Sequence, residues 1–244
     1  MTIWLRTTAS TMKDAAALAA RGEPHGTVVV AEEQTAGMGR HGHSWHSEAG
    51  AGLYLSIILR LPLAPDALPV LTMALGLAVQ KAVNDAAGVD CDLRWPNDLL
   101  LNEKKLAGTL VQAADSVLIA GIGINVNQSA FTDDLSTIAT SLLIETGNPH
   151  SKEVLLDRIV TASLEYGDLL SERGTRPILE QFESRSSYVR GREVDVEIGD
   201  RVITGTTAGL DEKGFLLVAT PNGIETIITG GVRPHAAARK KVRA

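Results

Sequence analysis

The stretch TVVVAEEQTAGMGRHGHSW, residues 27–45, limits the folds open to this chain more than any other. Its first part is β-branched and apolar and reads as a buried strand over 27–34. Gly37, Gly39 and Gly42 then spell G-x-G-x-x-G, the pattern of a dinucleotide-binding turn. Such a turn has to open a helix whose N-terminus meets the pyrophosphate. Here Gly42 leads into HSWHSEAGAG and then GLYLSIILRL (52–61), a second strand with no helical period between. The order is strand, glycine loop, strand, which excludes a Rossmann wind. A plain surface loop and an anion-binding loop both remain. Glycines let backbone N–H groups approach an anion, and Arg40 adds a permanent positive charge. His41, His43 and His46 give H-x-H-x-x-H, yet no carboxylate or cysteine within the loop completes a structural metal set.

The rest of the chain fits an α+β protein. Residues 2–6 read as a short strand, and Ser10 or Thr11 caps a helix through Ala20 that Gly22 stops. Leu71, Ala74, Leu75, Ala78, Val79 and Ala82 mark the buried face of a long helix. CDLRW (91–95) is a strand ended by Pro96, and LNEKK (101–105) is a polar turn. Two apolar runs, 105–114 and 116–126, meet at Asp115 as an antiparallel hairpin. Helical patterns follow at 151–171 and 175–184. Near Arg190 the period changes to two, with Val194, Val196 and Ile198 on one face. Turn signals then recur at Gly199-Asp200, Asp211 to Gly214 and Pro221-Asn222-Gly223. Four or five short strands in about 50 residues predict a small barrel. The expected division is 1–187, 188–237 and a basic tail over 238–244.

Bulk properties narrow the function. A chain of 244 residues, 44% apolar, buries a full core without metal or disulfide staples. Lys plus Arg number 23 against 29 Asp plus Glu, a net charge of −6, which argues against broad binding to nucleic acid or anionic membrane. The single cysteine, Cys91, fits a reducing cytoplasm. The N-terminus lacks a signal-peptide core, and no window approaches 18 uninterrupted apolar residues.

Several segments together resemble one family. Ser10-Thr11-Met12, QTAGMGRHG at 34–42 with Trp45, and LYLS at 53–56 are followed by WPND at 95–98 and KLAG at 105–108. GIGINVN at 121–127 and ATSL at 139–142 complete the set, in order. The chain thereby resembles biotin protein ligases over about residues 7–234. The resemblance implies a mixed β-sheet flanked by helices, of the kind shared with class II aminoacyl-tRNA synthetases, plus a small C-terminal SH3-like β-barrel. It implies ATP and biotin as substrates, with Mg²⁺, and a biotin carboxyl carrier protein as partner, in a monomer or homodimer. Members that double as repressors carry an N-terminal helix-turn-helix. With Ser10-Thr11 so early, the expectation is the monofunctional kind. Related alternatives are a lipoate–protein ligase of the same superfamily and a non-catalytic biotin sensor.

The resemblance also assigns residues. Lys105 and Arg40 are the cations for carboxylate and α-phosphate. Ser10, Thr11, Gln34, Gly37, Gly39 and Gly108, with Lys105, are the biotin positions. Trp45, Asn97 and Asn125, with Arg40, are the nucleotide positions. Asp98 has three open readings: a Mg²⁺ ligand, a proton acceptor for the incoming amine, or a turn residue. This chain departs from the family at Met12, where many members have asparagine, and at Met38, His41 and His43, where arginines are frequent. Arg94 stands where lysine is common. The histidines are expected to substitute partly for the lost charge, making loop closure pH-sensitive near pH 6–7.

Overall fold

The computed structural model describes residues 1–115 and 117–235. Its first sheet is built from β1 (Thr2–Leu5), β2 (Val28–Ala31), β3 (Leu53–Leu59), β4 (Asp92–Arg94), β5 (Asp98–Leu101), β6 (Lys104–Ala114) and β7 (Val117–Ile124). Their order across the sheet is β1-β2-β3-β7-β6-β5-β4. β1 runs parallel to β2 and every other pairing is antiparallel, so the sheet is mixed. β2 and β3 are buried throughout because both faces of the sheet are covered.

One face carries α1 (Thr11–Ala20). Met12, Ala15 and Ala19 pack there against Val29, Ile58 and Ile119. The other face carries α2 (Leu68–Ala87), α5 (Lys152–Arg173) and α6 (Arg176–Ser184), and their apolar stripes share a core with Val28, Val30, Leu55 and Ile57. Strand alternation sends neighbouring residues to opposite faces, which is why Val29 and Val30 belong to different clusters. Ser151 caps α5, its hydroxyl accepting from the Val154 amide, and α2 ends at Gly88 with φ 66°. α2 with its leading turn, Pro65–Ala87, is long and apolar enough by length and composition to cross a membrane, yet most of it lies inside this core. Two short helices, α3 (Asp133–Ser136) and α4 (Leu142–Thr146), follow β7.

The strand Asp98–Leu101 was hidden from sequence reading. Pro96 and Asn97 signal a turn, and four residues give no measurable alternation. It nonetheless pairs β4 and β6 and so places Asp98 opposite Gly108.

The second sheet holds β8 (Arg190–Ile198), β9 (Arg201–Leu210), β10 (Leu216–Thr220), β11 (Gly223–Ile227) and β12 (Gly231–Pro234), in the order β11-β10-β9-β8-β12. The strands match the alternation in the sequence, but the expected barrel is an open antiparallel sheet. Among the described residues no pairing joins β11 to β12. The reason is visible in the core: Val194, Val196, Ile203, Leu216, Val218, Ile227 and Val232 belong to the same apolar cluster as α2 and α6. An apolar sheet face covered by neighbouring elements has no need to close on itself. The basic tail over 238–244, and the last two residues of the 188–237 unit, lie outside the described residues.

Candidate functional site

A cavity of about 610 Å³ opens on the α1 face of the large sheet. Its walls are the start of α1, the glycine loop, the β4–β5 turn, the strands β6 and β7, and the near edge of the second sheet at Ile198-Gly199 and Thr229–Val232.

Three glycines make the floor. A Cβ on Gly121 would lie 2.7 Å from the Met12 sulfur, and one on Gly123 would lie 2.5 Å from the Trp45 ring. One on Gly108 would come within 3.2 Å of both Trp45 and the Lys105 ammonium. Gly108 and Gly123 are register partners on β6 and β7, so together they form a bare strip of backbone on which the indole lies. The loop above is a small hairpin rather than a loose strap. Trp45 N–H donates to Gly37 O at 2.9 Å, Gly39 N–H to His43 O at 2.7 Å, and Met38 bridges Ser44. Both glycines are tightly placed: a Cβ on Gly37 would meet Trp45 O at 2.6 Å, and one on Gly39 would meet His43 O at 3.2 Å. Met38 packs on the apolar cluster of α1 and β7, so the position expected to hold an arginine is an apolar anchor here.

The charged centre stands beside the floor. Lys105 Nζ lies 2.6 Å from Asp98 Oδ1, and Arg94 Nη2 lies 2.6 Å from Asp98 Oδ2. Burial works against the charge on Asp98, yet Lys105 and then Arg94 hold its carboxyl below the usual carboxylate range. Lys105 also faces the Trp45 ring, 5.4 Å from its centroid. Arg40, also lining the cavity, donates from Nη1 to Asn97 Oδ1 at 3.3 Å. Burial lowers the Arg40 pKa, and the nearby Asp98 charge opposes that shift. Asn97 is fixed in turn, its Nδ2 donating to Thr109 O at 2.8 Å.

The polar end is mostly self-satisfied. Gln34 Oε1 accepts from Thr11 N–H at 2.9 Å and from its hydroxyl at 3.1 Å, while Gln34 Nε2 donates to Ser47 at 3.0 Å. Thr11 Oγ1 also meets Ser56 Oγ at 2.8 Å. Ser10 occupies the N-cap position of α1 without a side-chain cap bond, and its buried hydroxyl has no protein partner. The Trp45 Nε1 donor is likewise buried and unpartnered. Unpaired buried polar atoms are costly, and both line the cavity, where a polar ligand would satisfy them.

The cavity thus gathers Ser10, Thr11, Gln34, Gly39, Arg40, Trp45, Asn97, Asp98, Lys105 and Gly108. Gly37 lies just behind, at the base of the loop hairpin. Asn125 also lies outside the lining. It is buried behind Lys105, its Nδ2 donating to Thr140 O at 2.9 Å. Asp98 sits on β5 rather than in a turn, and both its oxygens face cations. At His41, burial and then Arg40 and His43 lower the ring's pKa, which works against its carrying the charge of an arginine. Among the described residues no three His, Cys, Asp or Glu side chains gather as a metal-binding group. Sequence reading left out Arg94 as a site residue, although its pairing with Asp98 across a β-turn follows once two strands flank Pro96 and Asn97. It also left out the wall supplied by Glu197, Thr229 and Arg233, which no local signal ties to the glycine loop.

Comparison with known proteins gives a consistent picture. Residues 4–129 match the Biotin/lipoate A/B protein ligase family, and residues 190–232 match the Biotin protein ligase C terminal domain. The chain is 37% identical over 235 residues to the bifunctional ligase/repressor BirA of Bacillus subtilis, covering 91% of this chain and 70% of that protein. It is 33% identical over 234 residues to the biotin–[acetyl-CoA-carboxylase] ligase of Mycobacterium tuberculosis, covering 93% and 86%. Among solved structures, the biotin protein ligase from Aquifex aeolicus in complex with biotin and ATP superposes with a TM-score of 0.85 at 33% identity, covering 96% of this chain and 98% of that one.

Proposed function

The chain belongs to the biotin protein ligase family, and on that footing we propose how this cavity activates biotin with ATP and delivers it to a lysine of a carrier protein. In the first half-reaction a biotin carboxylate oxygen bonds to the α-phosphorus while the bond to the β-phosphate oxygen breaks, releasing pyrophosphate. In the second, an ε-amine attacks the acyl carbon of the mixed anhydride and AMP leaves, the amine losing a proton. The carboxylate is already ionised at neutral pH, so the first step needs no general base. Its barrier is the approach of two anions and the charge that builds at phosphorus, and fixed cations are the remedy.

Lys105 and Arg40 are those cations in our reading. Lys105 is held by Asp98, and Arg40 by the neighbouring Asn97, and both cations line one cavity. That pairing of fixed cations over a glycine floor is the observation that carries the proposal. Ser10 supplies an unpaired hydroxyl for the polar ring of biotin, with Thr11 and Gln34 forming the rigid wall beside it. Gly108 and Gly123 admit the Trp45 indole against the sheet, and the ring so seated is the aromatic wall for the nucleotide. Asn125 is a positioning residue that braces the strand bearing Lys105, donating to the Lys105 and Leu106 carbonyls.

Asp98 fits neither of its two chemical readings. A dication at its carboxylate would sit against Lys105 and Arg94, so the donor set does not fit Mg²⁺, and we route no step through that ion. A carboxyl held below its usual range is also a poor proton acceptor for an amine. We assign Asp98 to orienting Lys105. We further take the chain as units 1–187 and 188–237, and the enzyme as cytoplasmic, in keeping with its free, buried Cys91.

The test is direct. Incubation with biotin, Mg-ATP and a biotin carboxyl carrier domain should add one biotinyl mass to a carrier lysine. Pyrophosphate exchange that responds to lipoate and not to biotin would overturn the substrate assignment.

A further inference from the structure

Among the described residues, one side-chain hydrogen bond joins the glycine loop to the second sheet. His41 Nε2 lies 3.1 Å from Thr229 Oγ1, joining residues 188 apart in the chain. His41 sits at the tip of the loop hairpin, in a 3-10 turn with Arg40 and Gly42, and takes φ 55°. Few non-glycine residues adopt that left-handed region, so the backbone is committed to aiming this side chain outward. The opposite anchor is firm. Thr229 precedes Gly230, whose φ is 146° and where a Cβ would meet Glu197 O at 2.8 Å, so the turn is pressed onto β8. The hairpin is crosslinked at its base and middle, and a hold on its tip therefore fixes the neighbouring residue. That neighbour is Arg40.

The geometry points to His41 as a positioning residue and Thr229 as its partner: the second sheet clasps the loop tip and so holds Arg40 over the cavity. The clasp rests on the reading of Arg40 as a phosphate-facing cation. It gives the second sheet a part in adenylation without any contact between that sheet and the reacting atoms. The bond survives on either tautomer of a neutral ring, because the threonine hydroxyl can donate or accept.

Thr229→Val removes only the hydroxyl bond, and Thr229→Ser keeps it. Two readouts are compared. Limited trypsin digestion, followed by mass at the Arg40-His41 bond, reports loop opening whether or not the protein is active. Release of preformed biotinyl adenylate reports the hold on the ligand. Loss of one neutral hydrogen bond should speed each by about threefold to tenfold in Thr229→Val, with Thr229→Ser matching the wild type. His41→Asn, which tolerates the left-handed backbone but lacks the reach, should speed adenylate release equally. The double variant should add nothing further. The clasp is overturned if Thr229→Val behaves as wild type in the digestion, if Thr229→Ser behaves as Thr229→Val, or if the two substitutions multiply. Faster digestion with unchanged adenylate release would overturn the link to Arg40. Absence of adenylate in the wild type would instead overturn the reading of the cavity, and the digestion alone would then decide the clasp.

Discussion

The Lys105 ammonium has neighbours of two kinds, the Asp98 carboxylate at 2.6 Å and the Trp45 ring at 5.4 Å. The first fixes its direction, and the second leaves one side of it open to an anion in the cavity. Replacing it should therefore separate chemistry from folding. In Lys105→Ala, Asp98 keeps Arg94 as its ion-pair partner, so the fold should persist. Adenylate formation should fall about 10²–10³-fold, as for loss of one preorganised charge-stabilising group. Pyrophosphate exchange measures it, and a loss under about tenfold would remove Lys105 from the mechanism. Asp98 makes a different demand, on pH. Its folded pKa lies below the unfolded value of about 3.9, so its stabilisation is fully present above that value and is lost as pH falls through the folded one. Asp98→Asn should cost about 3 kcal/mol near pH 7, because two cations lose their shared counter-charge. The gap in melting temperature between wild type and variant should shrink steadily below about pH 4. A gap that stays constant down to pH 2 would contradict the pairing.

At the scale of elements, the site is two bare strand positions facing an indole. Gly108 and Gly123 are opposite one another on β6 and β7, and a methyl on Gly123 would intrude to 2.5 Å from the Trp45 ring. Gly123→Ala should displace that ring into the cavity. Overpacking of this kind costs about 1–3 kcal/mol, and equilibrium dialysis should show ATP binding weakened by at least tenfold. Unchanged affinity would mean the Trp45 ring does not border the nucleotide. This geometry also explains what could be read without a structure. The β6–β7 hairpin was legible because two apolar runs flank Asp115, which takes φ 53° in the turn. The failure of the Rossmann pattern was legible because a strand, β3, follows the glycines where a helix would be required. β5 was not legible, since four residues behind a proline carry no period. Asn125 shows a similar limit: GIGINVN gives the residue type but not which side of the strand end it faces, and here it faces the Thr140 carbonyl. The barrel was overcalled because alternation reports that one face is buried without saying what buries it. Arg94, Thr229 and Arg233 needed pairing partners that only the assembled sheets supply.

At the scale of the whole molecule, the second sheet is part of the first sheet's core rather than an appendage. Trp95 carries much of that union. It is buried beside the cavity, and its indole N–H donates to Gly214 O at 2.9 Å, across 119 residues of sequence. Gly214 takes φ 81°, and a Cβ there would sit 2.3 Å from the end of Met73 on α2, so the β9–β10 connection is wedged between the two parts. Around it, Ser186 Oγ donates to Leu93 O, and Ser187 N–H donates to the Asp92 carboxylate at 2.9 Å. Tyr188 and Arg192 both donate to Glu103, in the turn before Lys104 and Lys105, with Arg192 stacked 3.8 Å from the Tyr188 ring centroid. These contacts run through β4, its turn into β5 and the β5–β6 turn, segments that flank Asp98 and Lys105. Unfolding the second sheet alone would strip its apolar face and open the cavity wall together. The expected calorimetric behaviour is a single transition for both parts, although the chain is longer than most two-state domains. Trp95→Phe keeps the ring but orphans the Gly214 carbonyl, a loss of about 1–3 kcal/mol. At this chain length that lowers the melting temperature by about 2–12 °C while leaving one transition. If calorimetry of the wild type instead resolves two transitions, and Trp95→Phe shifts only one of them, the shared core does not bind the two sheets into one cooperative unit.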